Sequence, residues 1–304
     1  MSKAVKFLKE NKIMAVGFIV LGSLGILFVL HQIFAYNALI RPYLYDATAF
    51  GVPFYPNMTT NYVSGPNMLM YFTILSNIFA SIYLIMIGAA VFAADKFKKV
   101  AYNPILSGMV TEYIFITGLV YCAVLLPFVQ SYPWNTGLWL NNLINYFQHI
   151  IMPVGMTVLF FFPLSDEKIE LKQCPLFMVF PLCYLFVSEM RGCLAADHWF
   201  PYPFLNANQL WKYVGGGKPF DAAKGYTFMI FICLALLGVF IGLSYAIRAL
   251  RKVMVRKAYG ASDADESPAE NKQTVEIAGD EVQNEIVMLD NSETAQKVAA
   301  DKDE

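Results

Sequence analysis

Six runs of apolar residues, each about as long as a bilayer's hydrocarbon core is thick, constrain this chain more than any other feature. They lie at roughly 13–35, 68–93, 104–129, 139–162, 174–190 and 226–247. A helix needs about 20 such residues to cross a bilayer. In lipid, only helices and closed barrels satisfy their own backbone polar groups. The fifth run is the shortest and is broken by Pro175 and Pro181. Composition agrees, with 57% hydrophobic and 15% charged residues in a chain of 304, where soluble domains average about 25% charged. The expected fold is an all-α polytopic membrane protein with a six-helix transmembrane bundle over 13–250. A basic N-terminus (1–12) precedes it; a basic helix end and a disordered acidic tail (251–304) follow.

Orientation is read from the cationic residues that flank the spans, because Lys and Arg concentrate on the cytoplasmic side. One set of flanks holds fourteen of them: Lys3, Lys6, Lys9, Lys12, Lys96, Lys98, Lys99, Lys168, Lys172, Arg248, Arg251, Lys252, Arg256 and Lys257. The opposite set holds five, at Arg41, Arg191, Lys212, Lys218 and Lys224. Both termini are therefore expected in the cytoplasm. From about Ser262 the chain turns to Asp, Glu, Lys, Ala, Ser and Gln with few aromatics, a composition too polar to bury a core. The formal net charge is −1, so nucleic acid is not an expected partner. The five cysteines (122, 174, 183, 193, 233) show no paired spacing and read as small apolar core residues. Gly238 and Gly242 form a small-xxx-small pair in the last span, which fits close helix packing.

Polar residues inside these runs are the functional signal. His149 sits near the middle of the fourth, and an ionisable side chain at that depth is a candidate site by default. Asn145 lies four residues earlier and Asn142 seven, which sets all three on one helical face. Thr73 and Asn77 lie one turn apart at the outer start of the second run. Glu189 and Arg191 end the fifth, and a loop rich in aromatics and prolines follows, with Trp199 and Tyr202 in it. The loop is expected to fold back as a lid. Spans two and four run in the same direction, so these residues are expected to converge on one polar cavity under the outer leaflet. Glu112, in the third run, is expected to pair with a neighbouring helix or to bond a hydroxyl.

A hydroxyl beside an imidazole is the minimum for nucleophilic acyl transfer, with further donors for the oxyanion. The bland alternatives are a threonine bonded to the carbonyl one turn back and a histidine bonded to a neighbouring backbone. A transporter or channel using the same cavity is the competing class. A zinc amidase holding metal on His31, His149 and His198 is a third, without any short histidine spacing to support it.

Tyr71-Phe72-Thr73-Ile74-Leu75-Ser76-Asn77, His149 with Pro153, Arg191-Gly192 and Trp199 to Asn206 carry a resemblance to a known family. They look like the bacterial six-span relatives of the androgen-induced-gene / FAR-17a family, over residues 13 to 250. The characterised animal members are intramembrane threonine hydrolases that cleave fatty acid esters of hydroxy fatty acids. The resemblance implies Thr73 as nucleophile and His149 as base, a lipid or fatty-acyl ester substrate, and a multi-pass protein of the bacterial plasma membrane. No cofactor and no metal are expected. Asn77, Asn142, Asn145, Glu189, Arg191, Trp199 and Tyr202 stand as candidates for substrate or oxyanion contacts.

Overall fold

In the computed structural model the described residues are 3–35, 65–125, 139–194, 200–216 and 218–259. The tail beyond 259, His198 and Trp199 lie outside them. Six helices are long and apolar enough to cross a membrane: Lys12–Phe34, Phe72–Ala90, Asp95–Ala123, Asn142–Phe160, Leu171–Leu194 and Ala222–Tyr259. They are called spans one to six below. All described regular structure is helical. Six crossings leave the two ends of the bundle on the same side.

Local chemistry sets the boundaries of these helices. Span three is interrupted at Tyr102-Asn103, where Asn103 Oδ1 accepts from the backbone N–H groups of Ile105 (2.8 Å) and Leu106 (3.2 Å). Pro104 follows at the first helical position, where its missing donor costs nothing. Span five does not stop at its prolines. It opens as a 3₁₀ turn over Leu171–Met178 containing Pro175, and continues as an α-helix over Val179–Leu194. Pro181 lies two residues into that α-helix, and the Phe177 carbonyl four residues before it accepts instead from the Tyr113 hydroxyl (3.0 Å). Span six runs 38 residues, about 57 Å at 1.5 Å per residue. That exceeds the hydrocarbon core, so its basic end from Arg248 onward extends past the apolar stretch expected at 226–247.

Packing is tightest between spans one and two. A side chain at Gly22 would strike the Ser81 carbonyl, and one at Gly88 would strike the Ala15 carbonyl. Two reciprocal notches thus let the backbones approach. Leu84, Ile87, Ile114, Ile144, Phe147, Met152 and Met156 join spans two, three and four in one core. Val5 and Leu8 of the N-terminal helix Lys3–Glu10 enter the same core while Lys6 and Lys9 face out. An aromatic cluster centred on Phe72 touches Tyr113, Phe180, Tyr184 and Phe240, joining spans two, three, five and six. Arg251 is 2% exposed. Its guanidinium donates to the Ser165 carbonyl (2.7 Å), the Ser165 hydroxyl (2.9 Å) and the Glu167 carbonyl (3.2 Å), which ties the loop between spans four and five to span six.

Two expectations change. Among the described residues nothing lies within 4 Å of a side chain built at Gly238 or Gly242, so this pair packs against none of the described helices. Of the five cysteines, only Cys174 is buried; Cys122, Cys183 and Cys193 are exposed and Cys233 is half-buried. Small sulfur-bearing side chains are as compatible with lipid as with a core, so helical periodicity alone did not sort them.

Candidate functional site

Thr73 is the second residue of the span-two helix, whose N-cap, Tyr71, supplies no side-chain cap. The N–H groups of a helix's first turn lack intrahelical acceptors and carry the positive end of its dipole. The Thr73 N–H donates instead to the phenol oxygen of Tyr202, 3.4 Å away. Tyr202 is held there by an edge contact with Tyr71 (5.7 Å between centroids) and a stack on Phe204 (5.2 Å). Burial raises the phenol above its ordinary pKa, against the opposing pull of bonds to Thr73 and Phe72, so it is neutral at pH 7. The loop itself docks through Phe200, whose ring lies where a side chain at Gly192 would stand. The expected fold-back of the 200–205 segment onto the start of span two is therefore observed.

Asn77, one turn below Thr73, is fully buried. Its Nδ2 donates to the Thr73 carbonyl (2.8 Å) and to the Gln148 carbonyl of span four (3.1 Å), so those two oxygens lie less than about 6 Å apart. Spans two and four run in parallel and their carbonyls point the same way along the bundle. A single amide bridging both sets Thr73 and Gln148 at one depth, and His149 follows Gln148 directly. Gln148 Nε2 in turn donates to Gln32 Oε1 of span one (2.6 Å). Ser76 donates to the Thr73 carbonyl (3.0 Å) and shares a hydrogen bond with Thr117 of span three (2.8 Å).

His149 lies in a π-helical turn, Phe147–Ile151, a wide turn that is rare in helices and frequent at functional sites. Its Nδ1 is 2.9 Å from the Asn145 carbonyl. A carbonyl can only accept, so Nδ1 carries the proton, and in the neutral ring the Nε2 lone pair is left as the basic position. Tyr121, which opens a second π-helical turn at Tyr121–Leu125, stacks on the imidazole at 4.3 Å between centroids. The Asn145 side chain donates to the Tyr121 hydroxyl (2.9 Å). Asn145 thus fixes the tautomer through its backbone and the stacking ring through its side chain. Gly118 lets the two spans meet here. A Cβ built on it would stand 2.7 Å from Pro153 Cβ and 3.3 Å from the His149 carbonyl oxygen.

No direct hydrogen bond joins Thr73 to His149. The two are brought level by Asn77, with His149 turned toward span three and Gln148 toward spans one and two. Asn142 is half-buried, one turn further out than Asn145. Glu189 is directed to the span-six side, within electrostatic reach of Cys233, and its Oε1 is buried without a hydrogen-bond partner. Arg191 is half-buried and not free. Gln148, Gln32, Tyr121, Ser76 and Thr117 belong to the network but were not among the expected residues. Each is polar inside an apolar run, and that alone was the available signal. Among the described residues no group of three His, Cys, Asp or Glu side chains is placed to hold a metal.

No family model, curated protein or solved structure matches this chain.

Proposed function

We propose that this membrane protein is an intramembrane lipid esterase with Thr73 as nucleophile and His149 as base. The observation that carries the reading is the Asn77 bridge, which levels the Thr73 turn with the turn that holds His149. The fixed tautomer of His149 supports it, because Nε2 is the atom a base would use. Catalytic hydrogen bonds are commonly loose in the free enzyme and tighten with substrate. The resemblance to the androgen-induced-gene / FAR-17a family assigns these two residues the same roles. It also motivates a fatty-acyl ester substrate and a bacterial plasma membrane.

His149 Nε2 takes the Thr73 hydroxyl proton, directly or through one water, as Oγ1 attacks the acyl carbonyl. The carbonyl oxygen becomes an oxyanion, and the Thr73 N–H at the uncapped start of span two faces it once the Tyr202 phenol has been displaced. Collapse of the tetrahedral intermediate breaks the ester C–O bond. The proton on His149 passes to the departing alkoxide, leaving an acyl-Thr73 ester that water hydrolyses by the same proton relay. The test is hydrolysis of a long-chain acyl ester by purified protein. Thr73→Ala should abolish turnover, Thr73→Ser should retain part of it, and His149→Ala should lower it by about 10²–10⁴-fold, the usual contribution of a general base. Undiminished turnover by Thr73→Ala would refute the proposal.

A transport reading draws on one observation only, the buried acid of span three.

A further inference from the structure

Glu112 lies away from Thr73 and His149, where span three meets spans five and six. It is 0% exposed, and both of its carboxyl oxygens are without a hydrogen-bond partner. One turn earlier, a side chain at Gly108 would meet the Phe177 ring (2.7 Å) and Ile247 Cγ2 (3.1 Å), so this face of span three is sealed by apolar groups. On its own span Tyr113 is the titratable neighbour, with its phenol committed to the Phe177 carbonyl (3.0 Å). From span five the Cys174 thiol lies within electrostatic reach, and the same thiol is within reach of Arg248 of span six. Arg248 Nε is itself buried without a partner. Span two presents the ring of Phe72 and the hydroxyl of Ser76 to span three. Span four presents Pro153 and, further along, His149 against Tyr121. No cation on these elements forms an ion pair with Glu112 in this packing.

An ionised carboxylate moved into such surroundings without a partner costs so much that the group neutralises instead. A neutral carboxyl is tolerated, but a carboxyl retained there at a loss invites a role. Arg248 supplies one. It lies on the same inward face of span six as Ser244 and Arg251, and it shares with Glu112 one electrostatic neighbour, the Cys174 thiol of span five. We propose that Glu112 is a proton-binding site linked to the packing of the inner ends of spans five and six. The carboxyl holds its proton in the closed arrangement seen here, and releases it to water when the spans part and Arg248 pairs with the carboxylate.

The experiment is infrared titration of the full-length protein in lipid nanodiscs, following the C=O stretch of protonated carboxyls. A band sealed from solvent at neutral pH should vanish in Glu112→Gln and shift, without vanishing, in Glu112→Asp. Raising the pH should remove it in the wild type. Arg248→Gln should move that midpoint upward by about one pH unit or more, a tenfold or greater gain in proton affinity, since an opposite charge lowers a carboxyl's pKa by roughly 1–3 units. Absence of a band assignable to Glu112 at neutral pH would overturn the proton site. An unmoved midpoint in Arg248→Gln would overturn the switch.

Discussion

Gly118→Ala probes the closest approach in the candidate site. The added methyl would stand 2.7 Å from Pro153 Cβ and 3.0 Å from Pro153 Cγ, where apolar carbons ordinarily rest about 3.5–4.0 Å apart. The proline ring cannot rotate aside, so spans three and four must separate by close to 1 Å. Overpacking of this kind costs about 1–3 kcal/mol. Gly→Ala also raises helix propensity by up to ~1 kcal/mol, which would mask part of the loss. Gly155→Ala is the internal control, because it lies in span four with nothing within 4 Å of the built methyl. The propensity gain cancels between the two variants, which leaves Gly118→Ala about 1–3 kcal/mol less stable than Gly155→Ala in reversible denaturant unfolding in detergent micelles. The His149 carbonyl, 3.3 Å from the same methyl, moves with the span, so Thr73 labelling by a fluorophosphonate should slow in Gly118→Ala alone. Equal stability and equal labelling in the two variants would refute the packing argument.

Asn77→Leu removes the amide that ties Thr73 to Gln148. It should cost about 1–3 kcal/mol for the carbonyl left unpaired and should slow labelling at Thr73; normal labelling would show that the bridge positions nothing. Tyr202→Phe keeps both ring contacts but frees the Thr73 N–H, so unfolding should change by no more than about 1 kcal/mol while labelling at Thr73 becomes faster. Slower labelling would instead make the phenol a participant in the reaction. Asn103→Ala should cost about 1 kcal/mol, the usual worth of an N-cap, without changing labelling.

Length and hydropathy carried most of the fold. Six apolar runs became six spans because each was too long and too uncharged to be placed elsewhere. Span ends were less legible. Pro175 and Pro181 weakened the fifth run, yet one sits inside a 3₁₀ turn and the other near the start of the α-helix that follows it, and the chain stays helical through both. The site was legible in its rare residues. A histidine and a threonine inside apolar runs stand out, and Tyr202 stood out in a loop too aromatic for a linker. What the sequence hid was which face meets which neighbour. Asn145 and His149 share a stripe, but it turns toward Tyr121, while the bridge from Asn77 lands on Gln148 on an adjacent face. A π-helical turn leaves no periodic mark, and the fit at Gly118 depends on a proline in another span. Glu112 was visible as an acid, but its lack of any partner is a property of three packed helices.

The most direct test of the central claim is the site of covalent modification. Purified protein treated with a long-chain fluorophosphonate, digested and read by mass spectrometry, should carry the adduct on Thr73, and the Thr73→Ala protein should carry none. An adduct on another residue, or undiminished modification of the Thr73→Ala protein, would contradict the assignment of Thr73 as nucleophile.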